Sequence, residues 1–271
     1  MVANLRGVRD KINRAKEHLA ELEFAIQKWG KSVDKNNPFR LYPEANGKEV
    51  HLRHGNVTPN DVWWALLVGD TIHNLRSALD HLVCQLAILN GKPVSCCEKT
   101  FFPICLTPDD FKKAERLVEP LIDPVAFSDI RDLQPYITAK IAGMPADASN
   151  LWIVHKLDII DKHRILVIAG KFFRTTDFQV SLNDGPAITV QVDPVWRPLE
   201  DGTHIATVDM TPFAPIANPK NEMRVQGGTE VKVLIAETGC GCDGLEVVSA
   251  IQPCVRHVED VVDFFASKFF P

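Results

Sequence analysis

The sequence lacks any run of the roughly 18 to 20 apolar residues that a membrane-crossing helix requires, so no transmembrane segment is expected. It also lacks an excess of basic charge. Thirty Lys and Arg stand against 35 Asp and Glu, a net charge of −5, so nucleic acid would have to be drawn in by a local patch rather than by a global field. The opening residues, MVANLRGVRDKINRAKEHL, carry charge throughout and have no apolar stretch of the secretory-leader kind, and a cytoplasmic location is expected. None of the seven cysteines has the C-x2-C spacing of common structural zinc sites. Their odd number in 271 residues fits reduced thiols better than a disulfide framework. No internal repeat of solenoid length is present. What is there, 45% hydrophobic and 24% charged, is the composition of a globular chain with a sizeable core.

Hydrophobic periodicity predicts a first helix from about Leu5 to Trp29, ended by Gly30, and a long central helix over Trp63–Leu89. Thr58-Pro59-Asn60-Asp61 supplies a cap, a proline at the first helical position and an acid in the first turn of that central helix. Six prolines between Lys92 and Met144 exclude long helices there, but Thr107-Pro108-Asp109-Asp110 opens a short one to about Val118 and Pro124–Leu133 can form another. Asp147, Ser149 or Asn150 caps a helix over LWIVHKLDIIDKHR. Beyond it the period changes from helical to alternating. Strands are expected over Ile165–Phe173, Phe178–Leu182, Ile188–Val192, His204–Met210 and Glu230–Glu237, with Leu41-Tyr42 and Glu49–Arg53 as an earlier hairpin. A final amphipathic helix, Leu245–Phe269, carries a possible break at Pro253.

The expected architecture is α+β. A helical bundle with a proline-rich wrapping segment occupies 1–164, an antiparallel β-sheet is inserted over 165–240, and the C-terminal helix of 245–271 packs back on the bundle.

The central helix carries the chemistry. At about 100° per residue, Trp64, Val68, Ile72, Leu75, Leu79, Leu82 and Leu86 share a core face, while Asp70, His73, Arg76, Ser77, Asp80 and His81 make a polar stripe opposite. Leu66 and Cys84 lie on that same azimuth, which suggests a polar island covered by other elements. Such groups need partners. His73 to His81 echoes His155 to His163: two histidines eight residues apart with aspartates between, on helices that can pack face to face. Three readings follow from these residues. A divalent metal could be held between the helices by His73, His155, Asp158 and His163, with Asp80 or His81 as further ligands. Arg76, Asp80, Asp158, Asp161 and Arg164 could instead form a structural ion-pair network, the protein then being a non-catalytic interaction module. The third reading comes from resemblance.

Arg76, four residues, then His81 resembles the motif of the HEPN superfamily, helical-bundle proteins whose nuclease members cleave RNA without a metal or other cofactor. The resemblance implies His81 as general acid or base and Arg76 as the stabiliser of phosphate charge, RNA or a nucleotide as partner, and a homodimer that builds the site; the polar stripe and the histidine echo add His73, Asp80 and His163 as candidate catalytic residues. The chain also resembles a family of bacterial proteins of unassigned function that share Gly69-Asp70, HNLRSALDHL, Phe102-Pro103-Ile104, Gln134-Pro135-Tyr136 and Asp161-Lys162-His163-Arg164. That likeness covers most of residues 1–170 and implies no mechanism.

Overall fold

The computed structural model describes residues 2–35, 39–44, 48–55, 61–164, 166, 168–182, 187–191, 197–198, 202–209, 211 and 223–270. They fall into two units, one of residues 1–23, 61–168 and 235–271, the other of 24–60 and 169–234.

The first unit is helical. Helix α1, Arg6–Lys35, belongs to this unit only up to residue 23 and runs on through Gly30 rather than ending there, because a glycine within a helix costs about 1 kcal/mol and does not by itself break the hydrogen-bond ladder. Helix α2, Asp61–Leu89, is the long central element; the expected cap at 58–60 lies outside the described residues. All seven expected core residues from Trp64 to Leu86 are at most 2% exposed. At about 2 kcal/mol for each fully buried large side chain, that face is a large contribution to the stability of the unit.

After α2 come α3, Pro108–Val118, and α4, Pro124–Asp132, each opened by a capping side chain and a proline. Thr107 Oγ1 accepts the backbone N–H of Asp110 at 3.2 Å and Asp123 Oδ1 that of Val125 at 2.7 Å. Helix α5, Pro135–Ala142, has the same proline start and a left-handed Gly143 (φ 68°) as its stop. Helix α6, Asn150–His163, packs on α2.

Helix α7, Val247–Phe269, is continuous through Pro253, and Glu246 caps it by accepting the N–H groups of Val248 and Ser249. It returns to the bundle against α1, α2 and α6, as the amphipathic pattern requires. Arg9–Asp263 at 2.9 Å and Lys16–Glu259 tie α7 to α1, but both pairs are substantially exposed and contribute under about 1 kcal/mol each. The seam is held by buried Leu19, Leu22, Val255, Val258 and Val262.

The second unit is antiparallel β. Strands β1, Phe39–Pro43, and β2, Glu49–His54, form the hairpin, and β2 pairs with β6, His204–Asp209, so the early hairpin and the late strand share a three-stranded sheet. In the other sheet β3, Ile168–Leu182, pairs with β4, Ile188–Val190, with β5, Arg197–Pro198, and with β7, Met223–Ile235. Two expected breaks are absent. The chain stays extended across 174–177, where β-branched Thr175 and Thr176 suit a strand, and across Gly227-Gly228. Residues 165, 192 and 210, at the ends of three expected strands, lie outside the described residues. Val50 and Leu52 pack with Phe178, Val180, Ile205, Val208 and Val225 in one apolar cluster.

Candidate functional site

The polar stripe of α2 is divided by depth. Arg76 is 93% buried, being 7% exposed, whereas Asp70, His73 and His81 face solvent; Asn74, Ser77 and Asp80 are intermediate. The expectation of a wholly covered island is therefore corrected. Leu66, on the same azimuth, is 44% exposed.

The inward part is a clasp. Arg76 Nη2 donates to Asp80 Oδ1 at 2.7 Å and to the carbonyl of Phe102 at 2.8 Å, while the same Asp80 oxygen accepts the N–H of Phe102 at 2.8 Å. Both polar groups of one buried residue in the extended segment after α2 are thus met by two side chains one helical turn apart. Gln134 does the same one step along. Its Nε2 donates to the carbonyls of Pro103 and Ile130 at 2.8 and 2.9 Å, and its Oε1 accepts the N–H of Cys105 at 2.9 Å. Gly69 stands where α6 approaches α2: a Cβ there would lie 2.6 Å from Cγ of Asp161. In space HNLRSALDHL and QPY thus touch FPI, and Gly69-Asp70 touches DKHR. They make one joint.

The outward part is different. Asp158 is 2% exposed; it accepts His73 Nδ1 at 3.2 Å on one oxygen and Lys162 Nζ at 2.6 Å on the other. The His73 side chain is 55% exposed, so a buried carboxylate orients a ring that faces water. This fixes the tautomer with the proton on Nδ1 and leaves Nε2 directed away from Asp158. Lys162 is i+4 from Asp158, a spacing the sequence displayed but the two-histidine echo overshadowed.

Electrostatics separate the two parts. Burial raises the Asp80 carboxyl, against the opposing pull of Arg76 and the Phe102 N–H. Burial, aided by Arg76, lowers His155 to about 4, so that imidazole is neutral at physiological pH. Burial and the carboxylates of Asp70 and Asp158 raise Asp161. Arg76 Nη1 and His155 Nδ1 are buried without a hydrogen-bond partner, and His155 rests on the Trp152 ring at 5.3 Å.

Of the residues singled out from sequence, then, His73 meets Asp158 and Arg76 meets Asp80. His81 and His163 are exposed, and His81 lies about 140° around α2 from Arg76, five residues at 100° each. Arg164 pairs with Glu237 instead of joining the Asp158 cluster. Among the described residues no three His, Cys, Asp or Glu side chains stand together at metal-binding distance.

No protein-family model, curated protein or solved structure matches the chain.

The thiols need one correction. Cys84 on α2 and Cys97 in the 3-10 turn Val94–Lys99 are disulfide-bonded, with Cα atoms 4.9 Å apart. The short turn after Gly91 folds the chain back along the last turns of α2, a reversal that counting cysteines does not show. Cys96, Cys105, Cys240, Cys242 and Cys254 are free.

Proposed function

We propose that this is a HEPN-like helical-bundle protein acting on RNA or a nucleotide by metal-independent acid–base chemistry, with His73 as the general base or acid. The observation that supports this is the His73–Asp158 pair, an exposed imidazole held in one tautomer by a buried carboxylate. Imidazole as a class exchanges protons near neutrality, and a carboxylate behind the ring stabilises the imidazolium formed when it takes one. Lys162, on the other oxygen of Asp158, sets positive charge beside the ring for a phosphate. Arg76, which the motif spacing points to as chemistry, serves in this proposal with Asp80 as the brace that fixes His73 one turn away. The HEPN resemblance adds a homodimer; in a reducing compartment, such as the cytoplasm expected from the charged N-terminus, the Cys84–Cys97 bond would tend to open.

The test is cleavage of single-stranded RNA in the presence of EDTA. Wild type is expected to cleave, His73→Ala and Asp158→Asn to lose at least about 100-fold, and His81→Ala to keep its activity. Equal activity in wild type and His73→Ala would refute the assignment. Loss in His81→Ala alone would return the chemistry to the Arg76–His81 spacing.

A second reading, a non-catalytic interaction module, is favoured by the saturation of Arg76 Nη2, Asp80 and Gln134 on backbone groups. It predicts RNA binding or none, and no turnover. No helix among the described residues is long and apolar enough to cross a membrane.

A further inference from the structure

Between β7 and α7 the chain makes a tight turn, Thr238-Gly239-Cys240-Gly241-Cys242-Asp243-Gly244, that the site above does not use. Three positions in and beside it have left-handed backbone: Glu237 (φ 57°), Gly239 (φ 63°) and Gly244 (φ 78°). The Asp243 carboxylate holds the turn from inside, accepting the N–H groups of Thr238 and Gly239 at 2.9 Å each and the Thr238 hydroxyl at 2.7 Å. Gly241 anchors it from outside: its N–H donates to the carbonyl of Asp147 at 3.2 Å, and a Cβ there would lie 2.6 Å from Cα of Ala148. The product of these restraints is a sulfur pair. Cys240 Sγ and Cys242 Sγ are 3.1 Å apart, with Thr238 Oγ1 at 3.0 Å from the first and 3.5 Å from the second.

We infer that Cys240 and Cys242 are a redox-active dithiol that exchanges with small-molecule disulfides. The sulfurs need to close by about 1 Å to reach the roughly 2.05 Å of a cystine. Both neighbours of Cys240 are exposed glycines, so no adjacent side chain screens its sulfur, although the sulfur itself is largely covered. Cys242 is fully buried behind it. The two thiols are also unlike in acidity. A hydrogen bond from Cys242 stabilises the Cys240 thiolate and lowers its pKa, and the same interaction with Cys240, together with burial, raises Cys242. Cys240 is thus the attacking sulfur and Cys242 the resolving one.

The chemistry balances with a disulfide R–S–S–R as oxidant. Cys240 Sγ, having given its proton to water, attacks one sulfur, forms Cys240–S–S–R and expels RS−, which takes up a proton. Cys242 then loses its proton and attacks Cys240 Sγ, expelling the second RS−. The protein loses two protons and two electrons in forming the Cys240–Cys242 bond, and the disulfide becomes two thiols. The ring formed is small, and the strain of closing it in an anchored turn favours ready reduction, as a reversible exchanger requires.

The experiment uses the full chain and mixtures of oxidised and reduced glutathione, followed by acid quench, alkylation and cleavage at glutamate. That releases Thr238–Glu246, separating the pair from Cys254. In wild type the pair is expected to convert together to an intrachain disulfide that returns to two thiols as reduced glutathione is raised. Cys254, whose thiol burial pushes up to about 12, should stay unmodified in the folded protein. Cys242→Ser, without a resolving thiol, should retain one glutathionyl group on Cys240. Two free thiols in wild type at the highest proportion of oxidised glutathione would overturn the inference. So would glutathione on Cys96 with Cys240 still free. The wild-type arm decides the matter even if Cys242→Ser fails to fold.

Discussion

His155 is a titratable group in the α2–α6 joint whose protonation the fold opposes. Its folded pKa of about 4 lies below the ordinary 6.5, so on acidification the unfolded chain takes up the proton first. The sign is therefore a loss of stability as pH falls from about 6.5 to about 4, of order 2 kcal/mol once its partial exposure is allowed for. Half-buried His257, also lowered, adds in the same direction, while Asp80 and Asp161, whose folded pKa values are raised, oppose it in acid. His155→Phe keeps a ring against Trp152 and removes the orphaned nitrogen. Urea unfolding at pH 7 and pH 5 should show the variant at least as stable as wild type at pH 7, and less sensitive to acid. A wild-type acid slope unchanged in His155→Phe would contradict this. At the same scale, the Cys84–Cys97 bond closes a loop of 13 residues' separation. Its removal by Cys84→Ser with Cys97→Ser should cost about 3 kcal/mol in the same assay under non-reducing conditions.

At the scale of elements, the joint depends on an irregular segment. The run from Thr100 to Leu106 has no ladder of its own, so its buried polar groups are met by Arg76, Asp80 and Gln134. Gln134→Leu keeps volume but leaves the Cys105 N–H and the Pro103 and Ile130 carbonyls without that partner, for an expected loss of about 2 to 4 kcal/mol by denaturant unfolding. A loss under about 0.5 kcal/mol would mean that the segment is held otherwise. Here the limits of sequence reading are visible. The helices and the core face of α2 were legible because they follow a local period, and α3 and α4 because proline and a capping side chain mark their starts. Helix α5 carries the same proline sign at Pro135 but no capping side chain before it, Gln134 making no cap hydrogen bond. The pairing of β2 with β6, the Cys84–Cys97 bond and the seating of Phe102 on Arg76 and Asp80 are long-range consequences of packing, and no local pattern encodes them. The two-histidine echo did place α2 opposite α6. It could not reveal that Arg76 points in and His81 out, because both lie within one broad polar arc.

At the scale of the molecule, the helical unit has two kinds of charged group on one pair of helices. Arg76 and Asp80 spend their hydrogen bonds on the protein's own backbone and on each other, whereas His73, Asp158 and Lys162 present an oriented ring to water. The account divides stability from chemistry along that line. Its most direct test is the unfolding free energy, by urea at pH 7, of Asp80→Ala and His73→Ala measured side by side. Asp80→Ala, which leaves a buried guanidinium without its carboxylate, should lose about 3 kcal/mol, and His73→Ala should lose less than about 0.5 kcal/mol. Equal losses, or the larger loss in His73→Ala, would contradict it.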